Sequence, residues 1–151
     1  MVCAKNQESL SWLQQQFSDR KVKKTYLAVI EGTMPSETGR IEMPITRNLS
    51  KPQTFMVDET GKPASTNYRV LNSEKLYSLV ELSPETGRTH QLRVHLTKLG
   101  HPIVGDELYG GKKAPRLLLH AFCLELTLLS GKKIKFSAPL PAIFKEYIKD
   151  V

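Results

Sequence analysis

The sequence has very little cysteine and no long apolar run. Its 151 residues include two cysteines, Cys3 and Cys123, which lie far apart and form no CxxC pair. Two isolated cysteines are typical of a protein kept in a reducing compartment, so we expect a cytoplasmic location and no zinc site. No apolar stretch is long enough to span a membrane, and no signal-peptide pattern opens the chain.

The sequence does have an excess of positive charge. Its 22 Lys and Arg residues against 15 Asp and Glu give a net charge of +7 at pH 7. The basic residues cluster at positions 20–24, 112–116 and 132–135. Phosphate backbones are natural partners for such a surface. A solvated basic face is also common in proteins, so the charge by itself only favours nucleic acid as a partner.

Residues 84–95, with the sequence Pro-Glu-Thr-Gly-Arg-Thr-His-Gln-Leu-Arg-Val-His, form the motif around which the other segments are arranged. An alternating apolar run at 77–82 predicts a strand before it. A turn at 86–87 would then put Arg88 and Thr89 at the start of a helix. Free backbone N–H groups at such a start, with a fixed guanidinium beside them, favour a carboxylate or a phosphate. The alternative is that these two residues only cap the helix and pair with a nearby acid.

The rest of the chain predicts many strands and few helices. Asn6 can cap a helix that ends near Phe17, with Leu10, Leu13 and Phe17 on one apolar face. Strands are predicted at 23–31, 39–45, 64–71, 117–129 and 132–138, with a mobile loop or hairpin at 46–63 and a short last helix from Pro141. This order predicts a single α+β domain over residues 1–151, with a mostly antiparallel mixed sheet and few flanking helices.

The histidines of the central motif offer no metal site. His95 shares a predicted helix face with Leu92 and Leu96, which favours a hydrogen-bonded core residue. His90 and His95 are five positions apart, and no HExxH pattern is present, so we expect no metal. A hydrolase that used either histidine would need a nucleophile, and no serine or cysteine lies in a recognisable elbow.

Four segments follow one another along nearly the whole chain: Lys-Thr-Tyr-Leu-Ala-Val at 24–29, the motif at 86–95, Gly-His-Pro with Gly-Asp and Leu-Tyr-Gly at 100–110, and Leu-Leu-His-Ala at 118–121. Together they resemble the RluA-type RNA pseudouridine synthases. The resemblance implies the catalytic-domain fold of that family and an enzyme that isomerises uridine to pseudouridine in structured RNA, such as rRNA or tRNA. The family uses no cofactor and no metal. It breaks the N1–C1′ bond, turns the base and rejoins it through C5.

The resemblance also implies roles for individual residues. Tyr26 would lie against the target base, and Arg88 would pair with the catalytic aspartate. An arginine beside an aspartate lowers the pKa of the acid by roughly one to three units, which keeps it ionised for attack at C1′ or for proton abstraction. The residues expected to bind the substrate are Thr89, His90, Gln91, Leu118, Leu119 and His120. The residues expected on the RNA backbone are Lys23, Lys24, Arg93, Lys112 and Lys113.

One feature of the family has no counterpart in this chain. The catalytic aspartate of the family lies in an Arg-Leu-Asp segment ahead of an Ala-Lys-Asn stretch like residues 4–6, and the chain begins at Met1. The remaining aspartates lie in no matching context, and Asp106 belongs to a Gly-Asp turn that we expect to be structural. We therefore expect the C-terminal portion of a catalytic domain, derived from an active enzyme but inactive by itself. The alternative is a non-catalytic basic RNA-binding module.

The start of the chain carries a structural expectation. Residues 1–5 have strand-like apolar character, with no turn or cap before them. A sheet that lacks its first strands would have an unpaired edge. We therefore expect self-association through that edge, or disorder near residues 1–5 and 46–62.

Overall fold

The structure is a computed structural model that describes residues 2–149. Its two α-helices are α1 at Gln7–Ser18 and α2 at Gln91–Lys98. Its strands are β1 Lys23–Glu31, β2 Thr38–Glu42, β3 Ile45–Arg47, β4 Phe55–Val57, β5 Ser65–Ser73, β6 Tyr77–Pro84, β7 Leu119–Thr127 and β8 Lys133–Ser137. Short 3-10 helices cover Glu107–Tyr109 and Ala142–Glu146. No helix within the described residues is long and apolar enough to cross a bilayer.

Six strands form one sheet in the order β2-β5-β6-β1-β7-β8, and β3 pairs with β4 in a separate hairpin. Every pairing between these strands is antiparallel. The prediction of an α+β fold with a mostly antiparallel sheet is therefore confirmed. The hairpin begins at Ile45, one residue before the segment at 46–63 that the sequence predicts as a loop or hairpin.

Strand β1 is an interior strand of the sheet, between β6 and β7, and both of its faces are covered. Ala28 and Ile30 belong to an apolar cluster with Leu92 and Leu96 of α2. Their neighbours on the opposite face belong to a second cluster, which the C-terminal residues Phe144 and Ile148 close. Each large apolar side chain buried in this way contributes about 1.5–3 kcal/mol to folding. The alternation predicted for β1 is confirmed.

Helix α1 has the predicted bounds but not the predicted buried face. The Asn6 side chain caps it by accepting from the Ser9 N–H at 2.8 Å. Leu10 and Phe17 are 40% and 46% exposed, however, whereas Gln16 is 3% exposed. The Gln16 amide donates to the backbone oxygen of Thr127 at 2.7 Å and accepts from its N–H at 2.8 Å. The apolar-face prediction is wrong because an amide that satisfies the end of β7, and not an apolar stripe, attaches the helix to the sheet.

The prediction of strand character at the start of the chain is wrong for residues 2–5, which lie outside the strands. Met1 lies outside the described residues. The edge strands of the described sheet are β2 and β8. Self-association through an edge stays a prediction.

Candidate functional site

Tyr26 lies in the central strand β1, and its side chain is partly exposed to solvent. It is opposite Leu82 of β6 on one side and Ala121 of β7 on the other. The register between β1 and β7 shifts immediately before it, between Thr25 and Tyr26. The side chain packs against the cluster that contains Ala28 and also lines a groove of about 1040 Å³. A flat aromatic surface is therefore accessible from this groove.

The groove beside Tyr26 is mainly apolar. It lies between α1, the segment before that helix, and strands β7 and β8. Its walls include the exposed aromatic side chains Trp12, Phe17 and Phe136. Arg88 is not among the residues that line it. The groove therefore presents the tyrosine but does not itself contain the arginine.

The turn between β6 and α2 is fixed by one buried amide. Gln91, which is 4% exposed, accepts at Oε1 from the Thr86 hydroxyl at 2.6 Å and from the Arg88 N–H at 3.0 Å. Its Nε2 donates at 2.9 Å to the Ser65 carbonyl and at 2.9 Å to the Thr66 hydroxyl. All the hydrogen-bonding positions of this amide are therefore occupied by protein groups. Gln91 was predicted to bind substrate, but the structure shows it holding the backbone of Arg88.

Helix α2 begins later than the sequence predicts. Its first residue is Gln91, and His90 before it has a left-handed backbone with φ of 55°. The N–H of Arg88 is bonded to Gln91, so it is not one of the free N–H groups of a helix start. The predicted anion site at the helix terminus is therefore wrong for Arg88. What remains of that prediction is the guanidinium.

The guanidinium of Arg88 has no carboxylate partner among residues 2–149. Its Nε donates to the Pro63 carbonyl at 3.1 Å. The described aspartates have other partners. Asp19 pairs with Lys21, Asp58 accepts from Thr60, and Asp106 pairs with Arg93. The arginine is thus positioned by neutral groups, and its charge is uncompensated.

Arg88 follows the end of β6 that pairs with the Tyr26 part of β1. Tyr26 is opposite Leu82, four positions before Thr86, so the turn that holds Arg88 follows directly from this part of β6. Helix α2 covers the face that carries Tyr26, because Leu92 packs in the same cluster. The arginine therefore precedes the helix that lies over the tyrosine face. A joint site of Arg88 and Tyr26 stays a prediction.

Arg93 does not reach the surface as a free cation. Its Nε and Nη2 donate to the two oxygens of Asp106, each at 2.7 Å, and the aspartate is 1% exposed. A buried acid engages the Nε and Nη2 edge of the guanidinium. Binding of the RNA backbone by Arg93 stays a prediction, but not as a free cation. The expectation that Asp106 is structural is confirmed.

His90 lies in an aromatic cluster beside this ion pair. Its Nδ1 is 2.9 Å from the hydroxyl of Tyr109, and its ring meets that of Phe55 edge-on at 5.6 Å. The Tyr109 hydroxyl accepts from the Phe55 N–H at 2.8 Å, and its ring lies under the Arg93 guanidinium at 4.7 Å. Burial, reinforced by the positive charge of Arg93, lowers the pKa of His90. Thr89, next to it, is exposed.

His95 is a core residue, as predicted. It is fully buried, its Nε2 donates to the Met43 carbonyl at 3.0 Å, and its Nδ1 is 3.1 Å from the Thr66 hydroxyl. A carbonyl can only accept, so Nε2 carries the proton and Nδ1 accepts from the hydroxyl of Thr66. Burial lowers the pKa of His95, which keeps the ring neutral.

The substrate-binding residues predicted at 118–120, at the start of β7, divide between the two faces of the sheet. Leu119 packs against the cluster on the Tyr26 face. Leu118 is fully buried in the opposite cluster. His120 is paired with Leu27, contacts Phe144 edge-on at 6.3 Å and donates to the Ala138 carbonyl at 3.2 Å. Of the three, only Leu119 shares a face with Tyr26, because successive side chains in a strand alternate.

The lysines predicted to bind the RNA backbone lie near opposite ends of β1. Lys23 and Lys24 lie at the start of β1, near Tyr26, and Lys24 lines the groove. Burial lowers the pKa of Lys24. Lys112 lies near the other end of β1, where its N–H donates to Glu31 at 2.6 Å, and the exposed Lys113 follows it. No sequence pattern indicates this division, which depends on where residues 110–116 return to the sheet.

A basic surface near the start of β1 is formed by two clusters that are distant in the sequence. Lys21 and Lys23 line a shallow depression together with Lys133 and Lys135 of β8, and Glu125 lies among them. The antiparallel pairing of β7 with β8 brings the second cluster beside the first. Among residues 2–149, no group of three or more His, Cys, Asp and Glu side chains is arranged to hold a metal ion.

Sequence analysis missed two residues that organise the region around Arg88. Tyr109 belongs to the Leu-Tyr-Gly segment of the family resemblance, which predicts no role for it. Pro63 belongs to the predicted mobile loop or hairpin at 46–63. The signal for Tyr109 was its position directly before Gly110 and Gly111, where the backbone can turn tightly. Pro63 gave no signal, because its contribution is a backbone carbonyl.

Comparison with known proteins defines the class to which this fold and site belong. The family model described as RNA pseudouridylate synthase matches residues 1–98. The solved structure of human RNA pseudouridylate synthase domain containing 1 superposes with a TM-score of 0.81 and 34% identity, over 90% of this chain and 62% of that one. Human RNA pseudouridylate synthase domain containing 4 gives a TM-score of 0.76 at 28% identity, over 95% and 67%. The chain belongs to the RNA pseudouridylate synthase family.

Bacterial relatives are similar over nearly all of this chain. The ribosomal large subunit pseudouridine synthase D of Borreliella burgdorferi is 40% identical over 99% of this chain and 48% of its own length. An uncharacterized RNA pseudouridine synthase of Zymomonas mobilis is 42% identical over 97% of this chain and 69% of its own length. The chain thus spans about half to two thirds of the length of these two relatives.

Proposed function

We propose that this chain carries the arginine and tyrosine of a pseudouridine synthase site and acts on uridine in structured RNA. The observation that carries the proposal is that the Arg88 guanidinium has no acidic partner among the described residues. Its Nε donates to the Pro63 carbonyl, and no carboxylate among the described residues neutralises the guanidinium. Such a cation is suited to stabilise an ionised aspartate, which the chemistry of the family requires.

In this proposal the ionised aspartate attacks C1′ of the target uridine or abstracts a proton, and the N1–C1′ bond breaks. The base then turns and C5 bonds to C1′, the proton on C5 is released to solvent, and N1 gains a proton. Arg88 keeps the acid ionised. Tyr26 holds the pyrimidine on its flat face, since base–aromatic stacking contributes about 1–3 kcal/mol. Gln91 positions Arg88 and does not touch the base. We expect Thr89, His90 and Leu119 to contact the flipped nucleotide or its neighbours.

The target nucleotide must leave its stack, which costs a few kcal/mol that phosphate contacts offset. The basic surface formed by Lys21, Lys23, Lys133 and Lys135 supports such contacts. The names of the relatives favour large-subunit rRNA as the RNA, with tRNA as the second candidate. We propose that residues 1–151 form a single unit within a catalytic domain.

We further propose that these 151 residues alone turn over little or no RNA, because their described aspartates have other partners. The test is a graft in which they replace the matching part of the Borreliella burgdorferi synthase. The graft should release tritium from RNA that contains 5-tritiated uridine, and the isolated chain should not. Tritium release by the isolated chain at a comparable rate would overturn the proposal of inactivity.

Variants in the graft test the role of Arg88. Arg88→Ala should lower tritium release about a hundredfold or more, as expected when a charge partner of the reacting group is removed, while RNA binding is mostly kept. Arg116→Ala is the matched control, because Arg116 is exposed and its Nε bonds only to the neighbouring Leu117 carbonyl. Equal rates for the two variants would refute a catalytic role for Arg88.

The second candidate function is RNA binding without chemistry. It is favoured by the same lack of a described carboxylate beside Arg88. It predicts salt-sensitive binding to which Arg88 contributes no more than a surface lysine. It also predicts that the graft fails to release tritium.

A further inference from the structure

The tip of the β3–β4 hairpin holds an exposed leucine on an ordered backbone. Leu49 is 88% exposed, the largest value among the exposed large apolar side chains. The Asn48 side chain accepts from the N–H groups of Ser50 at 2.9 Å and Lys51 at 3.1 Å. The Thr54 N–H donates to the Lys51 carbonyl at 2.8 Å, and the Asn48 N–H donates to the Thr54 carbonyl at 3.0 Å. The loop is thus closed by its own hydrogen bonds, while the leucine points away from the chain.

The base of the hairpin is fixed to the elements around Arg88. The Phe55 N–H donates to the Tyr109 hydroxyl, and the Phe55 ring contacts His90, two positions after Arg88. Ile45 packs with Ala64 and Val94. The arginine is tied to the same segment, because its Nε donates to the carbonyl of Pro63. The hairpin therefore rises beside the candidate site from a rigid base.

The charge of the tip fits a polyanion. Arg47 and Lys51 flank Leu49 and are both exposed. The Nε of Arg47 donates to the Pro52 carbonyl at 3.0 Å, which holds this guanidinium at the tip. Neither cation has a carboxylate partner among residues 2–149. An apolar side chain between two cations suits a nucleobase between two phosphates, because apolar side chains can insert between base steps.

We propose that Leu49 packs against a nucleobase next to the target nucleotide, while Arg47 and Lys51 contact the adjoining phosphates. The inference rests on the proposed function, which brings RNA to Arg88 and Tyr26. It adds a contact that fills the gap left when the target base leaves the stack. Leu49 is then a positioning residue, since it does not touch the reacting atoms.

The test uses the 151-residue chain and a stem-loop RNA that carries 4-thiouridine in its loop. Ultraviolet crosslinking followed by mass spectrometry should recover a peptide that contains residues 48–53. Leu49→Ala should weaken binding about tenfold, which corresponds to losing the burial of most of a leucine side chain. The dependence of binding on salt should stay unchanged, whereas Lys51→Gln should reduce its slope by about one.

Leu76→Ala is the matched control, because Leu76 is also an exposed leucine at a hairpin turn, 57% exposed, at the other end of β6. Equal affinities for the two alanine variants, or crosslinks confined to other parts of the chain, would overturn the proposal. A change in self-association in place of RNA affinity for Leu49→Ala would make the tip a protein contact and would also overturn it.

The graft separates this inference from the proposed function. An active graft in which Leu49→Ala changes neither RNA affinity nor tritium release refutes the role of the hairpin tip alone. An inactive graft refutes the isomerase assignment, whereas crosslinking at residues 48–53 still supports the RNA contact. An effect confined to KM, with kcat kept, is the expected signature of a residue that only positions RNA.

Discussion

Arg93 donates from Nε and Nη2 to both oxygens of Asp106, and each donor–acceptor distance is 2.7 Å. The aspartate is 1% exposed, so removing its charge would leave a partly buried guanidinium without a partner. We expect Asp106→Asn to lower the free energy of unfolding by about 3–5 kcal/mol. Urea denaturation followed by circular dichroism measures this change.

The control for that prediction is an exposed ion pair on the same sheet. Arg69 and Glu81 are 3.2 Å apart, and the arginine side chain is 59% exposed. Arg69→Gln should change the free energy of unfolding by no more than about 1 kcal/mol. If Asp106→Asn costs as little as Arg69→Gln, the ion pair does not have the structural role assigned to it.

Gln91 provides a test of how the turn holds Arg88. Gln91→Glu keeps the size of the side chain but replaces the donor group with an oxygen that faces the Ser65 carbonyl and the Thr66 hydroxyl. We expect a loss of about 1–3 kcal/mol in the free energy of unfolding and, in the graft, a loss of tritium release. Gln14→Glu on the exposed side of α1 is the control for the change of charge. Full activity of the Gln91→Glu graft would show that the turn is held by other contacts.

Tyr109 is expected to attach the β3–β4 hairpin through a single hydroxyl. Tyr109→Phe keeps the ring under Arg93 but removes the acceptor of the Phe55 N–H. We expect faster hydrogen exchange at the Phe55 amide and a loss of about 1–3 kcal/mol. Tyr77→Phe is the control, since no hydrogen bond of its hydroxyl is found within the described residues. Unchanged exchange at Phe55 would contradict the attachment.

His95 makes stability depend on pH. Burial lowers the pKa of His95 in the folded chain below its ordinary value of 6.5. At pH values between the folded and the unfolded pKa, the unfolded chain therefore binds more protons than the folded one. The contribution of His95 to the free energy of unfolding is therefore fully present above pH 6.5. It decreases as the pH falls below 6.5, by at most about 1.4 kcal/mol per pH unit for one histidine. The lowered pKa of His90 acts in the same direction.

Urea denaturation at pH values from 7.5 to 5.0 measures this dependence. His95→Gln should be less stable at every pH but should show a flatter curve, because one of the two groups that gain a proton on unfolding is gone. A curve as steep as that of the unchanged chain would mean that His95 is not the group responsible.

The sequence predicted the elements whose signal is local. The strand at 23–31 is buried on both faces, so its run of apolar residues marks it clearly. Asn6 begins α1 because its side chain reaches the Ser9 N–H within the same turn. His95 was assigned to the core from its spacing to Leu92 and Leu96. In each case the deciding interaction lies within a few residues or follows from a simple period.

The errors came from partners that are distant in the sequence. Arg93 resembles a surface cation until the turn at residues 103–106 brings Asp106 against it. The family resemblance groups Leu118 and His120 with Leu119, but alternation in a strand sends them to the opposite face. Gln16 attaches α1 only because β7 ends beside it. No local sequence pattern predicts these contacts between distant residues.

The order of residues along this chain determined its strands, its family resemblance and the two side chains, Arg88 and Tyr26, on which the proposed chemistry depends. Only the tertiary structure decided that Gln91 holds Arg88, that Arg93 is paired with Asp106, and that the base of the β3–β4 hairpin packs against His90 and Tyr109. The physical reason is that hydrogen bonds and ion pairs depend on distances of about 3 Å in space, and such distances between remote residues are set by how the sheet and α2 pack.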